Sequence, residues 1–467
     1  MKLCYVIIDG LAINCWETAI SSPNGGFINY IDDNAFKVPT LVDIFSVSRP
    51  GHVAFSYRLS PFETNLVGNR FVDIEQMKVI NPPLDIFKKY RSVFDDLKDA
   101  GHTLLGFGNK GCGISEGGIS KETVDPGDEG GQRTLQLYMR MTKENGSLST
   151  TYSPFHQIAI PSGIYHNGKR EPFDELNERR KKIRERIFGG EHVGVDKFGE
   201  MDDVLTAKVA ELINVYNPSV ITGTIGGPDK AIHTDGTKSL TAAEVLRNAI
   251  EMIRKLLFAM GDDTLFILTT DHGNSDTPEI FPITATIQQL ASMNGFSEND
   301  YAIATDGRRG FRIWFTEDLI HSRSKQIHEL VDRLKRMPAN RWVHFTPEYE
   351  EIENIFGKDV GYSRDKFGHV IGTANEGYGY DIIYRKANHG GITPGCTQIY
   401  TFFAYFDGHK LTKPHWIKER FQKYLQNKKL NIWDISAVAV ETIGAELFDY
   451  ETPTISVADF FESKLSA

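Results

Sequence analysis

Short apolar segments alternate along this chain with longer segments whose apolar residues recur at helical spacing. The sequence "LCYVII" at 3–8 is typical of a buried strand, and "TLLGFG" at 103–108 follows a helical pattern. The same order returns twice more, ending in "SVITGTI" at 219–225 and "TLFILT" at 264–269. Strands that alternate with helices form parallel sheets covered on both faces. The sequence therefore predicts an α/β fold, a mostly parallel sheet sandwiched by helices.

Two regions interrupt this alternation and divide the chain. Residues 111–200 are rich in glycine, serine and charge, and we expect an irregular insert that could act as a lid. Residues 275–385 contain "GFRIWFT", a helical pattern and "RWVHFT", which predict a small α/β insertion. The predicted core then comprises 1–110, 201–274 and 386–467.

The composition limits the kinds of partner that we expect this protein to bind. The 467 residues carry a net charge of -10, which argues against general nucleic-acid binding and against an anionic membrane surface. The four cysteines are scattered without a CxxC pair, and no apolar stretch approaches the length of a membrane span. These features predict a cytoplasmic protein that binds neither nucleic acid nor a membrane, and they leave a small anionic substrate and a homo-oligomer open.

Residue types that bind metals lie at or near the ends of four predicted strands. In parallel sheets, ligands bind beyond the carboxyl ends of the strands. Each signal alone also has a structural explanation, such as a turn, a helix cap or a surface histidine. The residues are Asp9, Asp229, His233, Asp271, His272 and His389. Together they form an oxygen and nitrogen set without sulfur, which suits two divalent ions, Zn²⁺ or Mn²⁺.

A nucleophile is expected between the first two predicted strands. Thr64 lies in "SPFETNLVGN", beyond Pro61, where a helix could begin and its exposed N–H groups could stabilise an alkoxide. Ser60 and Asn65 are neighbouring competitors. Asn65 has no ionisable hydroxyl, and Ser60 precedes the proline, which favours an extended backbone.

The order of these residues, with "PDKAIH" and "TTDHGN" as its strongest motifs, resembles the alkaline phosphatase superfamily and its type I phosphodiesterase / nucleotide pyrophosphatase branch. The resemblance implies one metal ion held by Asp229, His233 and His389. The other would be held by Asp9, Thr64, Asp271 and His272, with Thr64 as the nucleophile. Related mutases keep the last histidine close behind the Asp-His pair, whereas an insertion separates them here, which favours the phosphodiesterase branch.

The resemblance also has a departure. The family usually places a histidine, or asparagine followed by histidine, a few residues after the nucleophile. Here Thr64 is followed by Asn69 and no histidine. We take Asn69 as the candidate substrate-binding residue.

These observations predict a two-metal phosphohydrolase, a phosphodiesterase, pyrophosphatase or phosphatase, that forms a phosphothreonine intermediate. One alternative is a phosphomutase of the phosphoglycerate mutase or phosphopentomutase type, which needs a site closed to water. A second alternative is a non-catalytic protein that binds a phosphate ligand through metal. A sulfatase is disfavoured because Cys15 is the only cysteine in the relevant stretch and lies too close to Asp9.

Overall fold

The structure is a computed structural model of the whole chain. It describes residues 1–446 except 23–24, 43–44, 60–65, 67, 81–90, 108–163, 167–168, 171–177, 179–199, 346–366, 382–384 and 426–427. The strands in this part are β1 Lys2–Ile8, β2 Phe36–Leu41, β3 Phe71–Asp73, β4 Lys78–Ile80, β5 Leu104–Phe107, β6 Ile164–His166, β7 Lys169–Arg170, β8 Val220–Ile225, β9 Thr264–Thr269, β10 Ser275–Asp276, β11 Glu279–Phe281, β12 Tyr301–Asp306, β13 Gly310–Phe315, β14 Asn340–Phe345, β15 Val370–Ala374, β16 Tyr378–Tyr380, β17 Ala387–Asn388, β18 Gln398–Phe406, β19 Leu411–Thr412 and β20 Leu430–Asn431.

Helices lie in several of the connections between these strands. They are α1 Ile13–Ile20, α2 Phe27–Asn34, α3 Ser48–Tyr57, α4 Val93–Asp99, α5 Glu200–Tyr216, α6 Gly227–Asp235, α7 Leu240–Met260, α8 Ile283–Met293, α9 Glu317–Ser322, α10 Ser324–Lys335, α11 Pro394–Thr397, α12 His415–Gln422 and α13 Ile432–Thr442. Among the described residues, no helix has both the length and the apolarity that crossing a bilayer would require.

The main sheet has the strand order β20-β2-β18-β9-β1-β8-β5-β6-β7, and β19 pairs with β18. At its centre β1 runs parallel to both β8 and β9, while β18 is antiparallel to β9. Every residue of β8 and β9 is buried, because helices cover both faces of the sheet. This arrangement confirms the predicted mostly parallel sheet.

The two faces of the sheet bury separate apolar cores. Successive side chains of a strand point to opposite faces, so Val6 packs with residues of α1 and α7 while Ile7 packs with residues of α3 and α13. The helices therefore sandwich the sheet, as the alternating pattern predicts.

A second sheet has the order β12-β13-β15-β14 and is separate from the main one. The predicted strand "GFRIWFT" is β13, which pairs antiparallel with β12 and β15. Helices α8, α9 and α10 cover this sheet and share an apolar cluster with it. Most of the predicted insert at 111–200 lies outside the described residues, although β6 and β7 extend the edge of the main sheet. The division into a core and two inserts stays a prediction.

Candidate metal centre

Three neighbouring parallel strands end at the same edge of the main sheet. Ile8 at the end of β1 is level with Ile225 of β8, and Ile7 is level with Thr269 of β9. The residues that follow are thereby brought side by side. Asp9 follows β1, helix α6 follows β8 and carries Asp229 and His233, and Asp271 and His272 follow β9. The remaining histidine, His389, comes directly after β17.

Asp9, Asp271 and His272 form the first half of the centre, and none of the three is accessible to solvent. The Nε2 atom of His272 lies 3.6 Å from Asp9 Oδ1 and 3.6 Å from Asp271 Oδ2. Asp271 Oδ1 accepts a hydrogen bond from the Gly10 N–H at 3.0 Å, and His52 Nε2 lies 3.5 Å from its Oδ2. Two carboxylates and an imidazole therefore converge in a volume free of bulk water.

Asp229, His233 and His389 form the second half. His233 Nε2 lies 3.3 Å from Asp229 Oδ1, as expected for side chains four residues apart on one helical face. The His389 ring stacks on the His272 ring with centroids 3.8 Å apart and lies 5.2 Å from the His233 ring. The stacked imidazoles join the two halves into one buried cluster.

In all three histidines Nδ1 faces a backbone carbonyl, which leaves Nε2 for the cluster. Nδ1 of His233 lies 2.7 Å from the Ala387 carbonyl, that of His272 lies 3.1 Å from the Gly273 carbonyl, and that of His389 lies 3.0 Å from the Ser46 carbonyl. A carbonyl can only accept, so each Nδ1 carries the proton and each Nε2 keeps its lone pair. This is the usual arrangement of metal-binding histidines.

The electrostatic environment favours neutral imidazoles. Burial lowers the pKa of His233 to about 3, and the Arg385 guanidinium adds to the effect. Burial also lowers the pKa of His389 well below its ordinary value, with His272 and His233 contributing. Neutral imidazole is the form that binds metal, so these side chains keep their ligand form below neutral pH.

The donor set fits divalent metal ions. Ligand atoms of Asp229, His272 and His389 lie within 4.8 Å of one another, and so do those of Asp9, Asp271 and His272. A further oxygen, Oδ1 of Asn274, is buried and accepts no hydrogen bond. Oxygen and nitrogen donors without sulfur suit Zn²⁺ or Mn²⁺. The first trio matches the expected set except that His272 stands where His233 was expected.

Helix α6, which carries two of the candidate ligands, is held at both ends by carboxylates. Asp202 Oδ2 accepts hydrogen bonds from the N–H groups of Gly226 and Gly227 at 3.1 and 2.7 Å, at the start of the helix. Asp276 accepts from the N–H and the hydroxyl of Thr237, just beyond the helix end, at 2.7 and 2.8 Å. These bonds fix the position of Asp229 and His233 relative to the sheet.

A serine that the sequence analysis did not consider lies at this centre. Ser48 is the first residue of α3, and its Oγ lies 3.4 Å from Asp9 Oδ1 and 3.2 Å from His272 Nε2. His52 follows four residues later on the same helix. The expected spacing of nucleophile and histidine in the family was thus present in "SRPGH", and it could have directed attention to Ser48.

Thr64 and Asn69 are the two other candidates from the sequence. Thr64 lies outside the described residues, as does its competitor Ser60, so its predicted role stays a prediction. The Asn69 N–H donates to Asp306 Oδ1 at 3.0 Å, which ties this residue's backbone to the smaller sheet. Its predicted contact with substrate also stays a prediction.

Several solved structures share this fold. Murine ectonucleotide pyrophosphatase / phosphodiesterase 5 is 14% identical, with 97% of each chain covered and a TM-score of 0.59. Phosphonoacetate hydrolase from Sinorhizobium meliloti 1021 is 13% identical, with 94% of this chain and 95% of the other covered and a TM-score of 0.58.

The alkaline phosphatase PafA is 12% identical over 94% of this chain and 95% of its own, with a TM-score of 0.60. At these identities the likeness shows the fold, which is that of the alkaline phosphatase superfamily. A search of curated protein sequences gives no match.

The family comparison shows the family of this chain, whereas the structural likeness shows only its fold. The model of the type I phosphodiesterase / nucleotide pyrophosphatase family matches residues 3–391, which include all seven predicted metal ligands. The names of the three structural neighbours are those of a pyrophosphatase / phosphodiesterase, a phosphonoacetate hydrolase and an alkaline phosphatase. The chain belongs to the type I phosphodiesterase / nucleotide pyrophosphatase family.

Proposed function

We propose that this protein hydrolyses phosphate esters with two divalent metal ions and with Ser48 as the nucleophile. The observation that carries the proposal is the position of Ser48 Oγ, at the first residue of α3 and within 3.4 Å of both Asp9 Oδ1 and His272 Nε2. The substrate is a small phosphorylated molecule, a diester, a pyrophosphate or a monoester, and not a nucleic acid or a membrane lipid.

The setting of Ser48 favours its alkoxide form. The exposed N–H groups and the dipole at the start of a helix stabilise negative charge on a nearby oxygen. Asp9 Oδ1 accepts the hydroxyl hydrogen bond and so orients the oxygen lone pairs. The Ser48 hydroxyl gives up its proton to solvent, and its oxygen attacks phosphorus as the bond from phosphorus to the leaving oxygen breaks. The leaving group is an alcohol or, from a pyrophosphate, a phosphate, and it takes up a proton from water. Water then hydrolyses the phosphoserine, which restores the hydroxyl and releases phosphate from a monoester substrate or a phosphate monoester from a diester.

Two ions would be held by the two halves of the cluster. Asp9, Asp271 and His272 would hold one, and Asp229, His233 and His389 would hold the other. Bound Zn²⁺ or Mn²⁺ would supply Lewis acidity toward the phosphoryl, attacking and leaving oxygens. The protein contributes the buried carboxylates and the neutral imidazoles, whose orientation is set by backbone carbonyls.

Trapping the phosphorylated enzyme is the direct test. The protein is loaded with Zn²⁺ or Mn²⁺, assayed on a panel of phosphate mono- and diesters, and quenched for peptide mapping of the phosphoryl group. We expect the label on Ser48, and we expect Ser48→Ala to retain metal and lose several orders of magnitude in turnover.

Thr64→Ala is the matched control for the nucleophile, and we expect it to retain most of the activity. A label on Thr64, or near-normal turnover of Ser48→Ala, would overturn the assignment of Ser48. Transfer of labelled phosphate to a second substrate hydroxyl without release of free phosphate would support the phosphomutase instead.

A further inference from the structure

The turn between β12 and β13 of the small sheet packs directly against the candidate metal ligand His389. The His389 N–H donates to the Gly307 carbonyl at 3.2 Å, and Arg308 and His389 form an isolated parallel bridge. The approach is close, because a Cβ added to Gly307 would lie 2.5 Å from the His389 carbonyl oxygen and 2.7 Å from its Nδ1. The Ser46 carbonyl orients the imidazole through Nδ1, whereas the turn fixes the backbone from which the imidazole extends.

A buried ion pair connects the two strands beside this turn. Arg312 of β13 donates from Nε to Asp306 Oδ2 at 2.8 Å and from Nη2 to Asp306 Oδ1 at 3.4 Å. Neither side chain is exposed to solvent. Asp306 is the last residue of β12, and its carbonyl accepts the Arg309 N–H across the turn at 3.2 Å. Because the pair is buried and has two hydrogen bonds, it holds the strand ends in one arrangement.

The same two side chains contact segments of the main core on both sides of α3. Asp306 Oδ1 accepts the Asn69 N–H at 3.0 Å, and Arg312 Nη2 donates to the Arg70 carbonyl. The Arg312 guanidinium also lies 5.8 Å from the centre of the Phe45 ring, just before α3. The ion pair therefore fixes the position of the turn relative to the core as well as its shape.

We propose that Asp306 and Arg312 are positioning residues of the metal centre, which act on His389 through the turn between β12 and β13. This inference rests on the metal centre of the proposed function and adds residues that bind neither ion. Groups that orient metal ligands without touching the metal typically contribute about 10- to 100-fold to metal affinity. The small sheet, which supplies none of the candidate ligands, is in this way required for the second half of the centre.

The test measures both Zn²⁺ affinities, by competition with a chromophoric chelator, in Asp306→Asn and in Arg312→Met. Asp306→Asn removes the charge but keeps an oxygen that can accept the Asn69 N–H. His233→Ala, which removes a ligand of the second half alone, identifies the ion that this half holds. We expect the affinity for that ion to fall about 10- to 100-fold in both variants, with the affinity of the first half unchanged. Arg312→Lys, which keeps a charge beside Asp306, should recover part of the loss.

Asn340→Ala is the matched control within the same sheet. Asn340 lies on β14, at the edge away from β12, where its buried side chain accepts from the Tyr380 hydroxyl at 2.6 Å and donates to the Leu334 carbonyl at 2.8 Å. We expect this variant to lower the free energy of unfolding and to keep both Zn²⁺ affinities. Gly307→Ala leaves the ion pair intact and places a methyl group against His389, so it should show the selective loss even if an ion-pair variant fails to fold.

The outcomes separate this inference from the proposed function. Equal losses for both ions, wild-type affinities in folded Arg312→Met and Gly307→Ala, or the same selective loss in Asn340→Ala would overturn the positioning role. A wild-type protein that binds fewer than two Zn²⁺ ions would overturn it as well. A protein that binds two ions and shows the selective losses, but hydrolyses no phosphate ester, would support the positioning role and count against the proposed function alone.

Discussion

Replacing Asn274 with alanine should separate the two halves of the metal centre. The Asn274 amide donates to the Gly10 carbonyl at 2.6 Å and to Asp229 Oδ1 at 3.3 Å. Gly10 adjoins Asp9, so this one side chain connects a ligand of each half. The space between Gly10 and Asp229 is narrow, because a Cβ added to Gly10 would lie 2.2 Å from Asp229 Oδ1.

The expected magnitude follows from burial. Asn274 is 1% exposed, so water cannot easily replace its amide, and the Gly10 carbonyl would be left without this donor. Such a loss costs about 1–3 kcal/mol in the free energy of unfolding. Removing a side chain that orients a metal ligand typically lowers metal affinity about 10- to 100-fold. We therefore expect both effects in Asn274→Ala.

The assay is competition of the protein with a chromophoric chelator for Zn²⁺, together with urea unfolding of the metal-free protein. Asn214→Ala is the matched control, because Asn214 is exposed and its amide donates only within α5, to Ala210 at 3.2 Å. It should change stability by less than about 0.5 kcal/mol. Wild-type affinity for both Zn²⁺ ions in Asn274→Ala would refute the view that this amide connects the two halves.

Three further changes test other parts of the structure. Ser46→Ala removes a buried hydroxyl that donates to the Gly391 carbonyl and accepts from the Gly390 N–H. Because these bonds hold the residues next to His389 in place, we expect Zn²⁺ affinity, measured by chelator competition, to fall about tenfold. Gly10→Ala should destabilise the protein by at least about 2 kcal/mol in urea unfolding, because φ is +63° and the added methyl group meets Asp229; unchanged stability would contradict the described backbone. Burial raises the pKa of Asp434 to about 6, so the folded protein binds this proton more tightly than the unfolded chain does. The free energy of unfolding should therefore fall by about 2 kcal/mol as pH rises from 4 to 7. Asp434→Asn should remove that slope and be the more stable protein at pH 7.5, and an identical slope in both proteins would show that Asp434 does not titrate in this range.

Much of the fold and of the ligand set follows from local sequence patterns. Strands β1, β8 and β9 are nearly continuous apolar runs because they are buried on both faces, and that pattern is visible without a structure. Ligands of parallel sheets gather where the strands end, so Asp9, Asp229 and Asp271 could be selected by position alone. Their convergence with His389 depends on the antiparallel return of β18 beside β9, which no local pattern specifies.

For the nucleophile, local reasoning selected Thr64, which stays a prediction, and did not consider Ser48. A serine at a helix start is usually a cap, so the spacing of Ser48 and His52 in "SRPGHVAF" is only a weak local sign of chemistry. Ser48 becomes notable only through its approach to Asp9 and to His272, which is 224 positions away in sequence. Such contacts depend on how α3 packs beneath the sheet edge.

The same distinction applies to the cations of the centre. The sequence alone gives no reason to single out Lys230, on a helical turn, or Arg385, in a loop. Their placement on Asp229 and His233 arises because β17 passes α6 closely enough for His233 Nδ1 to donate to Ala387. Residue type and periodicity determined which elements form and which ligands they carry. Only tertiary packing decided which further side chains approach those ligands, because that depends on distances between segments far apart in the chain.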